Sequence, residues 1–318
     1  MRNNRVNTVF LAILTLIAVG AVIKIAKPVI LPLVIAWLVS YLFTPLVDLL
    51  KKIKVPLGPA IVVILLLVLV LCLLIGLFVQ SGINAFSSSY KVYEARLDNL
   101  LLDKLRNLFA ADAEYESLVT KFAKQLNWGE MVGSIVQTVS GSMVSLVSNL
   151  VMVLVFLVFF LLGRPFINVK LEKAFSPENA QRIMSVQNSI TSQIGHYLSL
   201  QFVLSLVTGI CVYLALLLIK VEFAVTWGVL AFLLNFIPAI GSIVATVPPI
   251  LIALVQYTTP LQAIITFFVL LTIQMGIGNF LGPKLYGDSL HLSPLVVLIS
   301  LLFWGWLWGP IGALLSIP

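Results

Sequence analysis

The sequence predicts an all-α, polytopic integral membrane protein, and three observations carry that prediction. Of its 318 residues 61% are hydrophobic and 10% charged, against roughly 45–50% and about 25% in an average soluble domain. Apolar runs near the length of one crossing, about 20 residues, recur from one end of the chain to the other. From Phe223 to Pro283 there is no Asp, Glu, Lys, Arg or His, which at 1.5 Å per residue is about three crossings of charge-free sequence. The total comes to about eight membrane segments.

The first span runs from Val9 to Ile23. Arg2 and Arg5 precede it as in a signal peptide, but no small-x-small cleavage site follows and Lys27-Pro28 leads into more apolar sequence, so the span is expected to be retained. Pro28 to Val47 and Pro59 to Val79 follow, closing a first block of three spans over residues 1–80. Residues 81–143 carry mixed charge, with Leu97, Leu101, Leu105 and Leu108, then Leu118, Phe122 and Leu126, at helical spacing. That pattern predicts an extramembrane segment of amphipathic helices.

The block 144–197 holds a fourth span, Val144 to Leu162, and a polar helix lying on the membrane face. Ser176 ahead of Pro177 and Glu178 marks the start of a helix, because a proline at the first helical position gives up a donor that would be unpaired anyway. Residues 198–318 form the expected transport core, beginning with a span from Leu198 to Ile219 and ending with Pro294 to Pro318.

Lys and Arg in short loops stay on the cytoplasmic side. Arg2 and Arg5, then Lys51, Lys52 and Lys54, then Arg164, Lys170, Lys173 and Arg182 all fall on one side when the N-terminus is cytoplasmic, with Lys24 and Lys27 as exceptions. Residues 81–143 are then outside. The net charge of +7 builds no basic face with interleaved aromatics, so nucleic acid is not an expected partner. Cys72 and Cys211 lie in separate apolar runs without CxxC spacing or a nearby His, and read as packing residues; no metal site or cofactor is expected.

Two interruptions of the apolar sequence are candidates for function. In LNFIPAIGS, Asn235, Pro238 and Gly241 stand mid-run. Proline lacks a backbone donor and clashes with the preceding turn, and broken backbone at membrane depth survives only inside protein or beside a wet cavity. Two half-helices meeting between Asn235 and Ser242 are therefore expected. In GNFLGPKLYGDSLHLSP, Gly278, Gly282, Pro283 and Gly287 are expected to break a second helix. A pair of Gly- and Pro-interrupted segments points to a solute site near the midplane; ordinary loop breakers are the plainer alternative.

An amide in hydrocarbon must bond to something, a neighbouring helix or a solute. Asn235, Gln274 and Asn279 are the main pathway candidates on that ground, with Gln201, Thr226 and Gln256 behind them. Asp288 and His196 are the candidates for ion coupling, since a carboxylate beside a break or an imidazole at an interface can exchange a proton. Gly305 and Gly309, at GxxxG spacing among Trp304, Trp306 and Trp308, form a candidate packing face.

Three stretches carry a resemblance: HYLSLQ at 196–201, FAVTWGVLAFLLNFIPAIGSIVATVPP at 223–249, and GNFLGPKLYGDSLHLSPLVVLISLLFWGWLWGPIGALLSIP at 278–318. In order and spacing they resemble the autoinducer-2 exporter family of bacterial permeases. The resemblance implies about eight membrane segments with broken or re-entrant helices in the second half, homo-oligomers in the bacterial inner membrane, and export of a small solute. It also implies sequence beyond Pro318. Gly282 departs from the pattern, since relatives can carry Glu or Ser there, which weakens any transfer of an acidic site to that position.

The function expected is therefore export of a small polar solute of the autoinducer-2 kind, a quorum-sensing role, by alternating access. The partners are the solute and membrane lipid. No GxxxxGK[ST] loop is present, so the expected driving force is a gradient. Sodium/proton antiport is the alternative, which calls for membrane carboxylates that the second half lacks apart from Asp288. With only two His and no catalytic spacing, an enzyme is not expected.

Overall fold

A computed structural model describes residues 2–109, 149–163, 166–237, 240–257, 259–286 and 293–316. All regular structure among them is helical. Pro238, Gly287 and Asp288 lie outside the described residues, as do residues 110–143 of the predicted outer segment and 144–148 at the start of the predicted fourth span. In chain order the helices are α1 (Arg2–Ile25), α2 (Lys27–Leu42), α3 (Thr44–Lys52), α4 (Leu57–Phe109), α5 (Asn149–Gly163), α6 (Phe166–Ala174) and α7 (Pro177–Ile219). They continue with α8 (Ala224–Leu234), α9 (Ile240–Gln256), α10 (Leu261–Met275), a π-helical stretch (Gly276–Leu281), α11 (Gly282–Tyr286), α12 (Pro294–Trp308) and α13 (Pro310–Leu314).

Among the described residues three helices are able, by length and composition, to cross a bilayer, within Leu57–Ser89, Pro177–Ile219 and Leu261–Tyr286; Ala18–Ile25 of α1 and Lys27–Leu42 form a pair bent by 78°, the geometry of a broken span or a re-entrant loop. The helices Asn149–Gly163, Ala224–Leu234 and Leu295–Trp308 are apolar but short. The described residues thus hold a few long apolar helices and several shorter ones, consistent with a membrane protein, and do not by themselves fix the expected count of about eight segments.

The chain forms two compact units. Unit 1 comprises residues 1–69, 147–199 and 288–318. Within it α2, α4 and α5 interleave Ala36, Ile61, Ile64, Val153 and Leu157. The predicted span Pro28 to Val47 divides, because Pro45 has no amide hydrogen to continue the ladder and starts α3 instead. In the same unit α12 and α13 fold back on each other. Gly309 ends α12 with φ of 75°, and a Cβ on Gly312 would collide with the Trp304 carbonyl. The expected GxxxG face is therefore a hairpin: Gly309 supplies the turn, and Gly305 merely contacts Ala313.

Unit 2 comprises residues 70–146 and 200–287. Its core gathers Val212 and Leu216 of α7, Ala231 of α8, Ala245, Ile252 and Ala253 of α9, and Leu270 of α10 around the half-helices. Small residues set the spacing: a Cβ on Gly209 would stand 2.8 Å from the Gly228 carbonyl oxygen, and one on Gly228 would stand 2.7 Å from Tyr213 Cβ. The two helix backbones touch directly, as small residues permit in membrane helices.

Candidate functional site

The predicted interruption at Asn235 is present. α8 stops at Leu234, and Asn235 still donates its amide to the Ala231 carbonyl. Ile237 N–H then bonds the Leu234 carbonyl at 2.8 Å, a tighter three-residue turn. α9 starts at Ile240, and Gly241 is so close to the Leu234 carbonyl that a Cβ would overlap it. Gly241 thus has a structural reason to be glycine, the close return of the chain onto the half-helix it has just left.

The second predicted interruption takes another form. The helix does not break at Gly278, Gly282 or Pro283; it widens into the π stretch Gly276–Leu281 and runs on through α11. Pro283 has no amide hydrogen, and its ring would press on the carbonyl four residues back, that of Asn279. One extra residue per turn relieves that clash without ending the helix, and such bulges occur often at functional sites. Gly282 is buried, with the Ile277 carbonyl 3.3 Å and the Tyr286 ring 3.6 Å from where its Cβ would stand. A larger residue there would displace the Tyr286 ring.

Continuity of that helix brings Tyr286 to the first break. The Tyr286 hydroxyl donates to Gln201 Oε1. Gln201 Nε2 donates to the Asn235 carbonyl at 2.6 Å, and Asn235 Nδ2 donates to Ser205 Oγ at 3.0 Å. Ser205 is wholly buried. The carbonyl that the ended helix leaves without an intrahelical donor is therefore satisfied by an amide from α7. The resulting chain of hydroxyls and amides is neutral throughout.

Of the predicted pathway residues the structure joins Gln201 and Asn235 and adds Ser205 and Tyr286, which sequence reasoning missed. Their partners lie 30 and 85 positions away, beyond any local pattern. Gln274 is half-buried and Asn279 exposed on the π stretch, and neither joins this network among the described residues. His196 is exposed on α7. No group of three or more His, Cys, Asp or Glu placed to hold a metal ion occurs among the described residues.

A second constellation closes the other end of unit 2. The loop Ile219–Phe223 carries two left-handed residues, Lys220 with φ of 64° and Phe223 with φ of 61°. Gln256 binds this loop twice, Nε2 donating to the Lys220 carbonyl at 2.8 Å and Oε1 accepting from Glu222 N–H at 2.9 Å. α4, expected to stop near Val79, continues unbroken to Phe109 and reaches the same loop: the Tyr93 hydroxyl bonds the Glu222 carboxylate, and the rings of Phe86 and Tyr93 pack on Phe223. Burial, together with the Glu222 carboxylate, pushes the Tyr93 hydroxyl above its usual range.

The model of the AI-2E family of transporters matches residues 11–318. A protein of Borreliella burgdorferi provisionally named a transport protein is 33% identical over 99% of this chain and 85% of its own. The AI-2 transport protein TqsA of Escherichia coli K12 is 30% identical over 98% of this chain and 88% of its own. YhhT of Escherichia coli K12, also provisionally a transport protein, is 33% identical over 98% and 87%.

Proposed function

Because the chain belongs to the AI-2E transporter family, a family of multi-pass bacterial membrane proteins, we propose that it exports a small, neutral, hydroxyl-rich solute of the autoinducer-2 kind. The N-terminus is cytoplasmic in this reading, by the positive-inside pattern. The observation that carries the proposal is the neutral network at the break. Such a solute offers hydroxyl donors and acceptors, and Gln201, Asn235, Ser205 and Tyr286 present the same chemistry where the backbone is already irregular. Among the described residues Asn235 Oδ1 has no partner, which leaves an acceptor for a solute hydroxyl. The name of TqsA, a relative at 30% identity, supports the same substrate class.

Movement follows alternating access. The half-helices α8 and α9 are joined by a few non-helical residues, and Gln201 holds the carbonyl at their junction. A solute that competes for Gln201 loosens that hold, so that binding and rearrangement are coupled through one side chain. Gln274 and Asn279 line the onward path, and Asp288 with His196 would carry any coupled proton.

The test is flux of labelled autoinducer-2 into and out of liposomes holding the protein, with and without imposed proton and sodium gradients. Saturable flux is expected, falling at least tenfold in Asn235→Ala and Gln201→Ala, a loss of about 1.4 kcal/mol of transition-state stabilisation. Flux no greater than through empty liposomes, from folded protein, removes this substrate. Sodium or proton movement in the same vesicles would then put antiport in its place.

A further inference from the structure

Unit 1 holds an open cavity of about 410 Å3, lined by none of the residues of the Asn235 network, between the end of α2 and the first third of α7. Trp37 and Tyr41 make one wall, set one helical turn apart with ring centroids 5.2 Å apart and edge to face. Ile183, Val186 and Ile190 of α7 also line it, with Gln187, Thr191 and the exposed Arg182. Among the described residues no carboxylate lines the cavity. Its volume is that of a small-ligand site, but its mix is unusual for a neutral polar solute: a mostly apolar bed, two amphipathic aromatics, and one permanent cation.

The setting narrows the ligand. α2 leads directly into α3, whose last turn holds Lys51 and Lys52, and α6, just before α7, carries Lys170 and Lys173. Tryptophan and tyrosine concentrate where the bilayer meets water, and basic pockets between helices on the cytoplasmic side take anionic head groups. Ile183, Val186 and Ile190 are 37–54% exposed, an apolar strip beside the arginine suited to an acyl chain.

We infer that this cavity is a binding site for an anionic phospholipid of the inner leaflet, its phosphate on Arg182, its glycerol region against Gln187 and Thr191, and one acyl chain laid along Ile190 between Trp37 and Tyr41. Arginine suits this role because its planar fork pairs with two phosphate oxygens while its stem packs on apolar surface. The occupant would tie the cytoplasmic end of α7, the same helix that presents Gln201, to the membrane surface.

The full-length protein is placed in nanodiscs of phosphatidylcholine to which brominated phosphatidylglycerol or brominated phosphatidylcholine is added, and the quenching of Trp37 is taken as the difference between wild type and Trp37→Phe. Stronger quenching by phosphatidylglycerol is expected, with a preference of about fivefold, the factor one basic side chain contributes at an anionic surface. Arg182→Gln should abolish the preference while leaving quenching by phosphatidylcholine intact, and Arg182→Lys should restore part of it. Equal quenching by both lipids in the wild type, or an unchanged preference in Arg182→Gln, overturns the proposal. Displacement of the brominated lipid by inorganic phosphate alone also overturns it, in favour of a small-anion site.

Discussion

Gly241 shows how one absent side chain positions a site. The chain leaves α8 at Leu234 and returns within a few residues, so that the Gly241 Cα rests on the carbonyl it has just passed. A methyl group there has to push two backbone segments apart, and overpacking of this kind costs about 1–3 kcal/mol. Gly241→Ala is therefore expected to lower the thermal unfolding midpoint in detergent and to cut flux more than Gly278→Ala, since Gly278 has open space around it. Equal behaviour of the two variants would mean that the close return is not needed. Residues of this kind were partly legible in the sequence. Asn235, Pro238 and Gly241 stand out because an amide, a missing donor and a missing Cβ are each costly or unusual in an apolar run. Ser205 and Tyr286 do not, because a serine or tyrosine in a membrane helix commonly bonds its own turn or the interface, and only the tertiary fold brings them to Asn235 and Gln201.

The helix that ends in α11 makes the corresponding point for elements. Gly278, Gly282 and Pro283 carry the composition of a loop, yet the chain stays helical by admitting a π stretch, and composition alone does not distinguish a helix that stops from one that widens. The same blindness hid the length of α4. Its apolar residues give way to charged ones after about Val79, so the pattern announces a new segment, whereas hydrogen bonding along the backbone is indifferent to that change and continues to Phe109. A π bulge is in effect one inserted residue, and each residue turns an α-helix by about 100°. Deleting Gly278 is thus expected to restore α-helical register, swing Tyr286 about 100° away from Gln201, and reduce flux to the level of Tyr286→Phe. Circular dichroism should show the helix content kept. If the deletion transports normally, the bulge has no part in placing Tyr286, and the Tyr286–Gln201 bond is incidental.

At the scale of the whole molecule, charge stops at the edge of the core: residues 223–283 carry none, while Glu222, immediately before that stretch, receives the Tyr93 hydroxyl at the far end of unit 2. α4 is longer than one crossing requires because it has a second task there, bracing the loop Ile219–Phe223. In the function proposed above this is the outer end, by the positive-inside pattern, and the proposed alternating access would require the brace to give way once per cycle. A variant with Cys72 and Cys211 replaced by Ser, and with Tyr93→Cys and Glu222→Cys joined by a bis-maleimide, should lose saturable flux while the same double-cysteine protein before crosslinking retains it. Undiminished flux after complete crosslinking would show that this end stays closed throughout transport. The brace has a pH signature as well. The Tyr93 phenol is buried and bonded, so its folded form holds the proton more tightly than the ordinary value of 10.0. Its contribution to stability is complete below that value and is lost as pH rises beyond it toward the higher folded value, because the unfolded chain ionises first. Wild type should therefore lose stability on the alkaline side more steeply than Tyr93→Phe, whose aromatic ring keeps the packing on Phe86 and Phe223 but has no proton to lose. Parallel alkaline profiles for the two proteins would place the steep term elsewhere and reduce the brace to its ring contacts.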